Sequence, residues 1–277
     1  MGLINNGGVQ KSFSVDKCLK HIFFFYNITW IFIMIATMNH HIYFRILGYL
    51  VTITMHISNI VVMMSSFHGD VMKNQHVRHF SEMQCFFFTC WTFTFQTVHA
   101  LLALYMDILT LKNSNSPDFK LPKLLVWCRE ALFSILVWPS TVLVVTIFWS
   151  LYLYDRQLIF PMDIDLVITK ASNHVMHSCI LPAVLWEVMF RRREAPRIHV
   201  WRLMLVWLTA VVYFSVLFFV HAYKGVWVYP IFGLLTGSIF FYLFIAFVFA
   251  ILVPMYYSQW ALNSLIWDSR IMSKKIT

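Results

Sequence analysis

The chain has 277 residues, 60% of them hydrophobic and only 12% charged, about half the charge expected of a soluble domain. That balance excludes a soluble globular class and gives an all-α reading, a polytopic transmembrane helix bundle. The formal charge of +9 sits in loops beside apolar runs, which fits cytoplasmic flanks and anionic headgroups and not nucleic acid.

Residues 1–21 read as a polar N-terminal tail, 22–257 as a single transmembrane helical domain and 258–277 as a polar C-terminal tail. Within the domain the apolar runs are 22–38, 46–66, 85–109, 124–153, 174–190, 201–222 and 231–257. The fourth run should enter the membrane near Ala131, after Arg129-Glu130, and kink at Pro139. Arg191-Arg192-Arg193 opens the strongest positive loop, so that side is assigned to the cytoplasm together with loop 110–123 and the C-terminal tail. Loops 67–84 and 155–172 then lie on the opposite side. Seven spans put the lysine-bearing N-terminus outside, against the charge rule, so the count stands at six or seven. Cys18, Cys85, Cys90, Cys128 and Cys179 show neither a disulfide framework nor zinc spacing.

Chemistry centres on Ser172-Asn173-His174-Val175-Met176-His177-Ser178, where two histidines enter an apolar run. An ionisable group inside a membrane segment is costly and marks a functional candidate. His177 is the candidate general base. Asn173 and His174 are candidates to orient it through hydrogen bonds, or Asn173 caps the helix that begins there. In the topology above, runs three and five both start on the non-cytoplasmic side, so Thr89 lies at a depth similar to that of His177. Gln96 lies seven positions after Thr89, and Asp107 eleven positions after Gln96. At about 100° per residue the three share one helix face, with Thr92 and His99 close by. That polar stripe should face the bundle interior. A threonine hydroxyl becomes a nucleophile when a histidine takes its proton, although membrane threonines commonly just bond a carbonyl one turn back.

The segments Phe148-Trp149, Tyr154-Asp155-Arg156-Gln157-Leu158-Ile159-Phe160-Pro161, Asn173-His174-Val175-Met176-His177-Ser178, Leu181-Pro182, Gly225-Val226-Trp227-Val228-Tyr229-Pro230, Leu262-Asn263 and Trp267-Asp268 follow one another in order. This ordered set resembles the androgen-induced protein and androgen-dependent TFPI-regulating protein family of multi-pass membrane threonine hydrolases, from about residue 85 to the C-terminus. The resemblance implies hydrolysis of fatty acid esters of hydroxy fatty acids by one intramembrane threonine and one histidine. Carried over by motif, these are Thr89, seven residues before Gln96 and eighteen before Asp107, and His177, the second histidine of Asn-His-x-x-His. The chain departs from the family pattern in its extra apolar segment 22–38. It also departs in Ser178, where threonine is frequent, and in Thr169-Lys170-Ala171-Ser172 before the Asn-His pair.

The expectation is therefore an intramembrane lipid esterase with no cofactor and no bound metal, acting on a fatty acid ester drawn from the bilayer. The protein is expected in the endomembrane system or plasma membrane. The alternative from a different class is a non-catalytic lipid-sensing or transport protein that uses the same polar stripe for binding. His174-x-x-His177 as half of a metal site is the weaker reading of that pair, because His40, His41, His76 and His79 form no second cluster. Asp155-Arg156 reads as an interfacial ion pair or a headgroup site, and Trp227 and Tyr229 read as interfacial anchors.

Overall fold

A computed structural model describes residues 41–116 and 118–276, with side chains to Asp268. The tail 1–21 and the apolar run 22–38 lie outside the described residues. The chain divides at His41, and the architecture below belongs to the unit Ile42–Thr277. Its helices are α1 His41–Ser66, α2 Gln75–Glu82, α3 Phe88–Lys112, α4 Lys123–Ala131, α5 Trp138–Asp155, α6 Lys170–His177, α7 Ile180–Phe190, α8 Val200–Lys224, α9 Pro230–Leu235 and α10 Ile239–Ile276. No strand occurs among the described residues.

Among the described residues, five stretches are long and apolar enough to cross a bilayer: His41–Ser66, Phe88–Lys112, Lys123–Leu158, Val200–Lys224 and Ile239–Asp268. Their outward faces carry large apolar side chains such as Leu50, Val61, Leu101, Leu208, Phe219, Phe240 and Leu243, all exposed. A contiguous apolar exterior of that kind suits lipid and not water. The protein is an integral, multi-pass membrane protein.

Three departures from the expected runs have local causes. The kink expected at Pro139 appears as a π-helical stretch, Leu132–Val137, that joins α4 to α5. Proline lacks the N–H that closes an α-turn, and the wider turn just before it absorbs the mismatch. The fifth run is two short helices and not one, because Pro182 cannot donate to the Ser178 carbonyl. Leu181 bonds Ser178 instead, and the chain breaks at 178–179. The seventh run splits at Thr236–Ser238 into α9 and α10, and α10 continues through 258–276 where a polar tail was expected.

Asp155 and Arg156 do not pair with each other. Asp155 accepts from the Gln157 amide at 3.0 Å, while Arg156 binds Asp165 at 2.9 Å and the Phe160 carbonyl at 3.2 Å. Together they fold the turn after α5. Gly225 ends α8 in a left-handed conformation, φ 72°, which glycine adopts without steric penalty.

Helix α1 docks on α7 through a close approach. A Cβ built on Gly48 would lie 2.3 Å from Trp186 Cδ1, and the Trp186 indole donates to the Phe44 carbonyl at 2.7 Å. Gly48→Ala should therefore lower stability by about 1–3 kcal/mol through overpacking, despite alanine's better helix propensity. Thermal denaturation in detergent, monitored by size-exclusion fluorescence, reads this out. Pairing Gly48→Ala with Trp186→Leu should recover most of the loss.

Candidate functional site

Helix α3 begins abruptly. Phe87 is its extended N-cap, at φ −72° and ψ 133°, and its side chain gives no capping bond. The first free amide, that of Phe88, donates instead to the Tyr229 hydroxyl at 2.9 Å. This sets Thr89 in the first turn, half-buried. The hydroxyls of Thr92 and Thr94 are occupied by carbonyls four residues back, Phe88 at 3.0 Å and Cys90 at 2.9 Å. The carbonyl four residues before Thr89 belongs to the preceding turn, and the Thr89 hydroxyl has no hydrogen-bond partner among the described residues. That separates Thr89 from its neighbours.

His177 is the last residue of α6. The helix is capped by Thr169, whose hydroxyl accepts from the Ser172 amide at 3.1 Å, so Asn173 is not the cap. The break at 178–179 leaves the His177 carbonyl outside regular helix, and the Trp149 indole donates to it at 2.9 Å. Its imidazole lies flat on Phe148, with centroids 3.4 Å apart and planes 2° off parallel. The side chain is buried, and its Nδ1 has no partner among the described residues. The ring stack orients the imidazole.

Thr89 and His177 line the same cavity, of about 150 Å³, walled chiefly by Phe88, Leu143, Ile147, Leu217, Phe232 and Val248. The walls come from α3, the π-turn and α5, α6, α8, α9 and α10. Two phenols, Tyr213 and Tyr229, also line it. The chamber is apolar with a few polar groups in its lining, the usual form of a small-molecule site.

The remaining candidates lie elsewhere. Asn173 is buried one turn before His177, and its Oδ1 is without a partner among the described residues. Next to it, Ser172 donates to Asn59 Oδ1 at 2.6 Å and ties α6 to α1. His174 is exposed; it stacks on Trp149 at 5.3 Å and lies 3.1 Å from the Ser178 hydroxyl. The two histidines thus face different surroundings. Gln96 points inward, as the stripe requires, but its Nε2 bonds Thr141 at 2.7 Å and the Ile180 carbonyl at 3.1 Å. It clamps α3 to α5 and α7 below the cavity.

Asp107 is farther still, roughly 27 Å along α3 from Thr89 at 1.5 Å per residue. It takes two bonds from Arg45, at 2.7 and 3.1 Å, and one from Arg129 at 3.1 Å. Arg129 also binds Glu187 at 3.1 Å, and Tyr49 bonds both Arg129 and Glu187. Arg191 bridges Glu187 and Glu130, and Arg193 reaches Glu130 and Gln259, each at 3.1 Å. Asn263 seals the Arg193 backbone on both sides, at 3.0 and 2.7 Å. The Arg193 guanidinium lies over the rings of Phe133 and Trp260, and burial pushes its pKa down to about 10 against the pull of Glu130. This ionic cluster occupies the end of the bundle opposite the cavity. The sequence points to neither Glu187 nor Tyr213, and it gives Arg129 and Tyr229 other roles, a membrane boundary and an interfacial anchor.

Three characterised proteins place the chain among known sequences. It is 37% identical to the human androgen-dependent TFPI-regulating protein over 114 residues, 41% of this chain and 49% of that protein. It is 33% identical to the human androgen-induced gene 1 protein over 129 residues, 45% of this chain and 52% of that one. The golden hamster (Mesocricetus auratus) androgen-dependent TFPI-regulating protein is 35% identical over 123 residues, 44% and 53%. The chain thus spans about half the length of the relatives it matches. No solved structure matches. The family model for FAR-17a/AIG1-like proteins matches residues 49–264, which include the Thr89 turn, the Asn-His-x-x-His helix and Asn263, and the chain belongs to that family.

Proposed function

We propose that the protein is an intramembrane esterase in which Thr89 is the nucleophile and His177 the general base. The reading rests on one observation above others: residues 88 positions apart in sequence share an apolar cavity in which a threonine hydroxyl is free of its usual backbone bond. The Thr89 oxygen attacks the ester carbonyl while His177 takes its proton, then passes that proton to the departing alkoxide. Water, deprotonated by His177, releases the acyl group and restores the hydroxyl. The substrate class is a fatty acyl ester, such as a fatty acid ester of a hydroxy fatty acid, whose chains stay in the bilayer or the apolar chamber during reaction. Neither cofactor nor metal enters these steps. An endomembrane or plasma-membrane setting supplies such lipids.

Asn173 lies one turn before His177 but does not bond it, since its Oδ1 and the His177 Nδ1 are both without partners among the described residues. His174, Gln96 and Asp107 act at a distance from the reacting atoms, through helix packing.

The test is labelling of the membrane-embedded protein with a long-chain alkyl fluorophosphonate. Wild type should label, while Thr89→Ala and His177→Ala at matched folded abundance should not. Equal labelling of Thr89→Ala removes Thr89 as nucleophile. A folded wild type that never labels favours a lipid-sensing or transport role.

A further inference from the structure

We propose that the Tyr229 hydroxyl, with the backbone N–H of Thr89, is the oxyanion-stabilising donor of the Thr89–His177 site, and that Tyr213 holds Tyr229 in place. The inference rests on the esterase reading above and adds the group that reading lacks.

The arrangement follows from counting protons. The Phe88 amide fills one acceptor position on the Tyr229 oxygen at 2.9 Å. The Tyr213 hydroxyl is 3.0 Å from the Tyr229 oxygen and 3.0 Å from the Phe86 carbonyl, and it has one proton to give. When Tyr213 donates to Tyr229, the Tyr229 proton has no acceptor among the described residues. When Tyr213 donates to Phe86, Tyr229 can donate to Tyr213, and rotation about one C–O bond redirects its proton. An incoming carbonyl therefore finds a hydrogen-bond donor whose oxygen is already fixed, which is what preorganised stabilisation requires. Burial pushes the Tyr229 phenol up to about 12, so it stays protonated at neutral pH and donates without ionising.

The second donor comes from the start of α3. The Thr89 amide has no bonded acceptor among the described residues, whereas those of Phe88 and Cys90 are taken by Tyr229 and by the Phe87 carbonyl at 3.0 Å. An amide in the first helical turn favours negative charge. Tyr229, Tyr213, Thr89 and the buried His177, whose Nδ1 has no partner among the described residues, all line one cavity.

The chemistry balances with these groups alone. The bond from Thr89 oxygen to the carbonyl carbon forms, and the carbonyl π pair moves onto oxygen. The threonine proton goes to His177. The new oxyanion accepts hydrogen bonds from Tyr229 and the Thr89 amide. Collapse restores the carbonyl and breaks the bond to the alkoxide, which leaves with the His177 proton. Tyr229 keeps its own proton throughout.

The test uses the full chain in lipid nanodiscs, hydrolysing a long-chain fatty acyl ester of 4-methylumbelliferone. The matching alkyl trifluoromethyl ketone serves as the tetrahedral analogue. Tyr229→Phe should lower kcat by about 10²-fold or more, the scale of a lost oxyanion donor, with KM within about threefold. Ketone affinity should fall by a similar factor, because the analogue carries the same oxyanion. Tyr213→Phe should lose less than about tenfold, since it acts only through Tyr229. Should Tyr229→Phe not fold, 3-fluorotyrosine at position 229 keeps the Phe88 bond while making the phenol a stronger donor, and ketone affinity should rise; an unchanged affinity overturns the proposal. If wild type hydrolyses the ester, Thr89→Ala does not, and Tyr229→Phe retains kcat and ketone affinity within threefold, Tyr229 is only a tether and this inference fails alone. If wild type shows no Thr89-dependent hydrolysis, the esterase reading fails and takes the inference with it.

Discussion

Glu187→Gln should destabilise the folded protein by about 3–5 kcal/mol, the penalty for breaking a buried ion pair and stranding its partner. Glu187 is 2% exposed and takes bonds from Arg129, Arg191 and Tyr49. Removing its charge leaves four arginines, Arg45, Arg129, Arg191 and Arg193, around two carboxylates, Asp107 and Glu130. Arg129, which bonds Glu187 directly, has little room to adjust, at 2% exposure with its Nε already lacking a partner among the described residues. At about 2–4 °C per kcal/mol for a chain of this size, the melting temperature in detergent should fall by roughly 10 °C. The double variant Arg129→Met with Glu187→Leu removes one charge of each sign and leaves Asp107 paired to Arg45. It should recover most of the loss, because well-packed apolar residues replace a buried pair at little net cost. A double variant no more stable than Glu187→Gln would mean that the Tyr49 contacts, and not the charges, hold this end together.

That cluster also shows where sequence reading stops. The polar stripe of run three was legible because one helix repeats every 3.6 residues, and Thr92, Gln96, His99 and Asp107 are all buried as the period requires. The partners of Asp107 were not legible. They arrive from α1 and α4, and the network continues through α7, the loop after it and α10, so no local pattern links them. Arg129 looked like a residue at the membrane boundary, since a charge beside an apolar run ordinarily ends it. Its burial depends on carboxylates supplied by helices that are distant in sequence. Likewise Asn263, visible only as part of an ordered motif, turns out to seal the backbone of Arg193.

The cavity was half legible. Topology brought the start of run three to the depth of run five, and both residues it singled out, Thr89 and His177, line one chamber. Tyr229 sits in a turn motif evident in the sequence, yet it read as an interfacial anchor because tyrosine is common at membrane boundaries. Its bond to the Phe88 amide crosses 141 positions, and only the folded chain reveals it. The break after His177 had a visible cause in Pro182. Not legible were the Trp149 bond to the His177 carbonyl and the stacking of the imidazole on Phe148.

The largest functional effect should come from Thr89 and His177 together, measured as hydrolysis of a fatty acid ester of a hydroxy fatty acid in membranes normalised to folded protein. His177→Ala should lose about 10²–10⁴-fold in kcat, the range for a missing general base. Thr89→Ala and the isosteric Thr89→Val should fall at least as far, because no neighbouring hydroxyl can substitute: Thr92 and Thr94 are committed to backbone carbonyls. Thr89→Ser should keep activity within roughly tenfold, since it retains the oxygen and loses only a methyl group. The two losses should not add. A base with no nucleophile to activate is worth nothing, so Thr89→Ala with His177→Ala should be no slower than Thr89→Ala alone, as for catalytic residues that act as a unit. Independent, additive losses would mean that the two side chains bind the lipid separately. Full activity in Thr89→Val would exclude the hydroxyl from the reaction, and the chamber would then be a binding site.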